Sequence, residues 1–121
     1  MKKVEAALEI ISPSYGSSFT IAKYNESSNI KSHLWHYHPE IELVYVHGGS
    51  GKRQIGSHLS YFTDGDLILI GSNLPHCGFT NSQTGNKSET VIQMKPDFVG
   101  NDFFNIPEMA AVKNLLQQAK A

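Results

Sequence analysis

Trp35-His36-Tyr37-His38-Pro39-Glu40-Ile41-Glu42-Leu43-Val44-Tyr45-Val46-His47-Gly48-Gly49-Ser50-Gly51 is the stretch on which the reading of this chain turns. Side chains on an extended strand alternate between two faces, so His36, His38 and Glu42 would leave the same face. Two imidazoles and a carboxylate supply the nitrogen and oxygen donors that bind Zn, Fe, Mn or Ni. Glu40 has the same parity and Pro39 threatens the register, so spacing leaves Glu40 and Glu42 both open. An isolated His-x-His is weak evidence for a metal. Weight comes from the carboxylate four residues beyond His38, and from His76, which follows a glycine-containing loop that a closed sheet would bring back. His33 and His47 have odd parity and read as structural, as does His58, which falls near a turn.

At 121 residues the chain has the size of one domain with a real core. Its 40% hydrophobic content and mean hydropathy of -0.28 describe a soluble globular protein. Ten basic against eleven acidic side chains leave a formal charge of -1. That balance argues against this segment gripping a nucleic-acid backbone, which needs a basic face. Cys77 is the single cysteine, which excludes an internal disulfide and fits a reducing cytoplasm. Lys2 and Lys3 resemble the start of a secretion signal, but Glu5 and Glu9 interrupt the apolar run that should follow. With no apolar run of about 18 residues for a membrane span, the expected location is the cytoplasm.

Val4 to Ile11 reads as a strand or a short helix, and Ser12-Pro13-Ser14 ends it. Phe19 to Tyr24 is a clearer strand, rich in residues that suit a pleated surface. A central strand from Leu34 through Val46 is apolar on both faces after the metal-type positions, so it needs cover from a second sheet or a partner. Gly48-Gly49-Ser50-Gly51 lacks the ending and the following helix of a phosphate loop and reads as a hairpin turn into Lys52–Ile55. Gly56-Ser57 turns again, and Asp64-Gly65 is a strong hairpin dipeptide between Leu59–Phe62 and the apolar Asp66–Ile70. Gly71 to Pro75 loops over to a strand from His76 to Thr80, and a polar tip follows from Asn81 to Ser88. Glu89 to Met94 returns. Short strands at this spacing point to an all-β antiparallel sandwich or barrel.

From Asp102, and firmly from Pro107, the period is helical. Met109, Val112, Leu115 or Leu116, and Ala119 form one stripe, with Pro107 and Glu108 suited to the first turn. No capping residue closes the helix before Ala121, which reads as a helix cut from something longer.

His36-x-His38-x-x-x-Glu42, then six intervening residues and Gly49, resembles the first cupin motif, with Ile30 where that motif begins with glycine. Gly65, then Gly71-Ser72-Asn73 and His76, approximates the second, with Gly71 where proline is usual. Trp35–Leu43, Gly65–Gly71 and Asn73-Leu74-Pro75-His76 are similar to the N-terminal sensor domain of AraC-type transcription regulators, and Phe103–Met109 continues the likeness. The resemblance implies a cupin jelly roll (double-stranded β-helix) over 1–96, and C-terminal helices over 97–121 that serve dimerisation. It also implies a small-molecule effector in the barrel, a homodimer, and DNA contact only through a C-terminal helix-turn-helix module absent from these residues. It selects Glu42 over Glu40, so the expected metal ligands are His36, His38, Glu42 and His76 around a divalent ion (Zn, Ni, Mn or Fe).

Two functional classes follow. In the first, the chain is a binding module rather than an enzyme, with Trp35, Tyr37 and Tyr45 lining the effector pocket or the dimer surface. In the second, it is a metal-dependent cupin enzyme, a dioxygenase, isomerase or epimerase, using the open positions of a three-histidine, one-glutamate site. No acid–base pair beyond the ligands is assignable from sequence, and Cys77, pointing away from His76, reads as an inert core thiol. The sensor reading is therefore preferred.

Overall fold

The computed structural model describes residues 5–13, 17–25, 35–78 and 88–121. Its strands are β1 (Ala7–Leu8), β2 (Phe19–Asn25), β3 (His36–Tyr37), β4 (Ile41–His47), β5 (Ser50–Ile55), β6 (His58–Thr63), β7 (Leu67–Ile70), β8 (His76–Gly78) and β9 (Ser88–Met94). They form two sheets, β1-β3-β8-β5-β6 and β2-β9-β4-β7. Every pairing is antiparallel except that of β1 with β3. The segment from Val4 to Ile11, open between strand and helix in sequence, contributes only the two-residue β1. His33, Val4 and the tip from Asn81 to Lys87 lie outside the described residues.

The expected central strand is in fact two. β3 ends at Tyr37, the chain bends through Pro39-Glu40, and β4 begins at Ile41 in the opposite sheet. Proline has no N–H for a ladder and restricts the residue before it, so the strand breaks there. The histidines thus face Glu42 because two sheets face each other, not because one strand alternates.

The turns are corrected in the same way. Gly48-Gly49, with both φ angles near +70°, joins β4 to β5, and Asp64-Gly65 joins β6 to β7. Each of these pairs of strands lies in different sheets, so neither turn closes a hairpin. Gly56-Ser57 does, since β5 and β6 pair from Ile55 opposite His58. Turn chemistry sets local φ, whereas sheet membership depends on what else a strand can pair with.

Between the sheets lies an apolar cluster of Val44, Val46, Phe62, Ile70 and Val91, with Tyr24, Ile55, Ile68 and Leu74 packed against it. Alternation gives the buried B-B-i-B-e-B pattern of β4 from Ile41, which turns Glu42, Val44 and Val46 inward. Towards one end of this core, Arg53 and Glu89 form a buried ion pair, with the guanidinium 5.2 Å from the centroid of the Phe62 ring.

After β9 come two short 3-10 turns, Phe103–Asn105 and Pro107–Met109, and then α1 (Ala110–Gln118). Leu116 rather than Leu115 is the half-covered member of the stripe, with Met109 and Ala119; Val112 and Leu115 are exposed. The helix ends at Gln118, and its cap is tertiary: the Gly71 N–H donates to the Ala119 carbonyl at 2.9 Å. A Cβ at residue 71 would collide with that carbonyl, and proline would lack the donor, which explains the glycine at this position. Among the described residues no helix is long and apolar enough to cross a membrane.

Candidate metal centre

His36 on β3 stands directly opposite His76 on β8, and His38 follows β3 in the bend. Cross-strand partners share a face, and the bend turns His38 to the same interior. The three rings are buried, with centroids 4.3 Å (His36–His76), 5.0 Å (His38–His76) and 5.8 Å (His36–His38) apart. One nitrogen from each lies within 4.8 Å of the others. Donors about 2.1 Å from a shared ion stand roughly 3 to 4.2 Å apart, depending on geometry, so a small contraction would close the set on a cation.

Glu42 faces them from the other sheet. Its Oε1 is 3.1 Å from His38 Nε2 and its Oε2 is 3.6 Å from His76 Nε2. Behind it, Gln93 Nε2 donates to Glu42 Oε1 at 2.9 Å, and Thr20 Oγ1 donates to Gln93 Oε1 at 3.1 Å. Thr20, Gln93, Glu42 and Ile70 form one register row across the sheet. Glu40, the other carboxylate that spacing allowed, is buried with its Oε1 lacking a hydrogen-bond partner, and like Glu42 it lies outside the group that the three histidines form.

Hydrogen bonds settle which nitrogens face inward. His38 Nδ1 lies 3.0 Å from the Glu40 carbonyl and His76 Nδ1 2.8 Å from the Leu74 carbonyl. A carbonyl only accepts, so each Nδ1 carries the proton, and each neutral ring aims an Nε2 lone pair at Glu42. A lone pair facing a carboxylate oxygen is repulsive unless a cation, proton or metal, sits between them. His76 Nε2 is buried with no hydrogen-bond partner. The orphaned atom and the fixed tautomers are what an N,O-ligated divalent ion requires.

Electrostatics agree. Burial works to raise the Glu42 carboxyl, but the neighbouring His38, His76 and Gln93 side chains hold it well below the usual carboxylate range. Burial works to lower His38, yet its contact with Glu42 leaves it above the ordinary imidazole value. The carboxylate stays charged and attracts positive charge to the ring nitrogens.

No family model and no curated protein matches this sequence. Solved structures do. A crystal structure of Fe(II) HppE aligns with a TM-score of 0.53 and 15% identity, over 64% of this chain and 43% of that one. A cupin 2 conserved barrel domain protein from Rhodopseudomonas palustris aligns with a TM-score of 0.53 and 15% identity, over 69% and 57%. The fold is a cupin barrel. This chain spans about half the length of those two proteins.

Within the cupin, not every residue singled out in sequence reaches the centre. Tyr45 lies on the outer face of β4, exposed between buried Val44 and Val46, with its ring 4.4 Å from His47. Tyr37 alternates with His36 and so takes the opposite side of β3 from it. Trp35 is half-buried just before β3. His47 is on the outer face and His58 is exposed at the start of β6. Cys77 alternates with His76, and burial pushes its thiol up, as an unreactive cysteine requires.

Sequence reasoning missed Glu9, Thr20 and Gln93. Glu9 Oε2 lies 3.5 Å from His36 Nε2. Burial first, and then the nearby charges of Glu9 and Glu42, raise the Tyr24 phenol, so it stays protonated beside the core. Only Gln93, a polar residue inside an apolar strand, carried a signal, and register alone connects it to Glu42.

Proposed function

We propose that this cupin is a ligand-sensing barrel of the AraC type. His36, His38 and His76 would hold a divalent ion (Zn, Ni, Mn or Fe) together with Glu42. Such an ion supplies a Lewis-acidic position to which an oxygen or nitrogen donor of a small effector can bind. The two aligned nitrogens and the carboxylate are set by backbone carbonyls and by Gln93, so the site is preorganised for the cation.

The observation that carries the sensor reading is the Gly71–Ala119 hydrogen bond. The loop it anchors also gives the Asn73 N–H to the His38 carbonyl at 2.8 Å and the Ser72 hydroxyl to the Pro39 carbonyl at 2.6 Å. The next residue, Leu74, accepts from His76. One short loop therefore contacts the end of α1 and the backbone that positions two of the histidines. A change at the centre has a physical route to the helix, where a dimer partner or a DNA-binding module would read it. Hydrogen exchange of residues 110–121 tests this: metal or effector should slow exchange there in the wild type and not in Gly71→Ala. Protection confined to the barrel in both would sink the reading.

A homodimer and a cytoplasmic location belong to the same proposal. Exposed Leu59 and Tyr61 on β6, and Ile21 and Leu67 on the other sheet, offer apolar surface for a second copy. Light scattering at about 13 kDa across a wide concentration range would exclude the dimer.

A metal-dependent enzyme is the second reading, favoured by Glu9, a carboxylate beside His36 that sequence did not reveal. Dioxygen uptake by the Fe(II)-loaded chain, above that of free Fe(II), would move the balance to it.

A further inference from the structure

β1 pairs in parallel with β3, Ala7 opposite His36 and Leu8 opposite Tyr37. Alternation then places Ala7 and Glu9 on the face that His36 takes, and Leu8 and Ile10 on the other. Both β1 residues are exposed, and Glu9 is half-buried between Leu8, 52% exposed, and Ile10, 77% exposed. The Glu9 N–H donates to the Tyr37 carbonyl at 2.9 Å, which fixes the backbone beside the histidines. From there the carboxylate reaches inward to 3.5 Å from His36 Nε2, with its side chain 38% exposed. Its negative charge is felt at both His38 and Tyr24.

Glu9 and Glu42 thus approach the histidine group from different sides. Glu42 touches His38 and His76; Glu9 touches His36. A spacing of 3.5 Å is that of two neighbouring donors on one ion, which stand roughly 3 to 3.5 Å apart. A simple Glu9–His36 ion pair is the weaker account, because it requires a charged imidazolium packed against two other imidazoles.

We infer that Glu9 is a second carboxylate ligand of the metal centre, making the donor set three imidazoles and two carboxylate oxygens. This rests on the metal reading above. Its consequence is selectivity. Five protein donors exceed what a tetrahedral Zn site uses and suit a six-coordinate Mn(II), Fe(II) or Ni(II), with one position left for a ligand or water. With Glu9 bound, a divalent ion is electrically balanced by two carboxylates, whereas Glu42 alone leaves a net positive centre.

Water-proton relaxation of the Mn(II)-loaded chain counts waters on the ion. Wild type should show about one and Glu9→Ala about two, since the lost donor is replaced by water in a six-coordinate shell. Mn(II) affinity should fall by at least roughly 10-fold. Glu9→Gln serves as the second variant if alanine loosens β1, and circular dichroism checks that both variants are folded. An unchanged water count in a variant that binds Mn(II) overturns the proposal and leaves the three histidines and Glu42 intact. A wild type that binds no Mn(II), Fe(II), Ni(II) or Zn overturns the metal reading and this proposal together.

Discussion

One barrel holds two buried polar clusters that solve the same electrostatic problem differently. Arg53 and Glu89 bring opposite charges, neutralise each other and pack under Phe62. His36, His38, His76 and Glu42 bring one negative charge and lone pairs that face it, so the set is balanced only by an added cation. β9 runs past both: Gln93, behind Glu42, and Glu89 are four residues apart on it, about 13 Å at roughly 3.3 Å per residue. The row Ala22–Val91–Val44–Ile68 separates them. A polar cluster that supplies its own counter-charge reads as structure, and one that lacks it reads as a site.

The comparison can be broken most severely at the self-sufficient end. Arg53→Met removes the cation that offsets Glu89 and should destabilise the metal-free protein by about 3–5 kcal/mol, leaving metal affinity unchanged. Urea denaturation and a metal titration of the same sample check both halves. The His36→Ala/His76→Ala double variant should do the converse. It loses the stabilisation that metal gives the wild type, about 2.7 kcal/mol at a hundredfold excess over Kd, while its metal-free stability changes less than that of Arg53→Met. If added metal still raises the melting temperature of the double variant, the ligand set is wrong.

Gly71→Ala sharpens the comparison by touching neither cluster directly. It sets a Cβ against the Ala119 carbonyl and strains a hydrogen bond worth about 1 kcal/mol. The expected loss is about 1–2 kcal/mol, with α1 the first element to exchange. Full stability in the variant would show that the helix end is not held there.

The smallest effect is on pH. Glu42 is held below its unfolded value of 4.5, so its contribution is present above that pH and is lost as pH falls through the folded value. His38 is raised above 6.5, so its contribution is complete below 6.5 and is lost as pH rises through the folded value. In chelator, the contribution of this pair should therefore be greatest between about pH 4.5 and 6.5. With metal bound, stability should instead hold as pH rises and fall on acidification, because ions and protons compete for the same nitrogens. Denaturation midpoints against pH, with and without chelator, would show it; identical profiles would argue that no ion occupies the site.

Sequence alone determined the parts of this protein that depend on residue type and local period. Glycine-punctuated short strands indicated an all-β fold, the 3.6-residue period after Pro107 indicated the terminal helix, and the histidines with Glu42 stood out as metal-type donors. Tertiary structure decided everything that depends on which strand lies beside which. It divided the supposed central strand at Pro39 between two sheets, and it turned two expected hairpins into crossings. It also placed Tyr45 outside and brought Glu9, Thr20 and Gln93 to the site from distant segments. The physical reason is that alternation and turn chemistry act over a few residues and state only which face a side chain takes. Where that face points is set by sheet pairing, a contest among all strands for hydrogen-bond partners and burial, and that contest leaves no local mark in the order of residues.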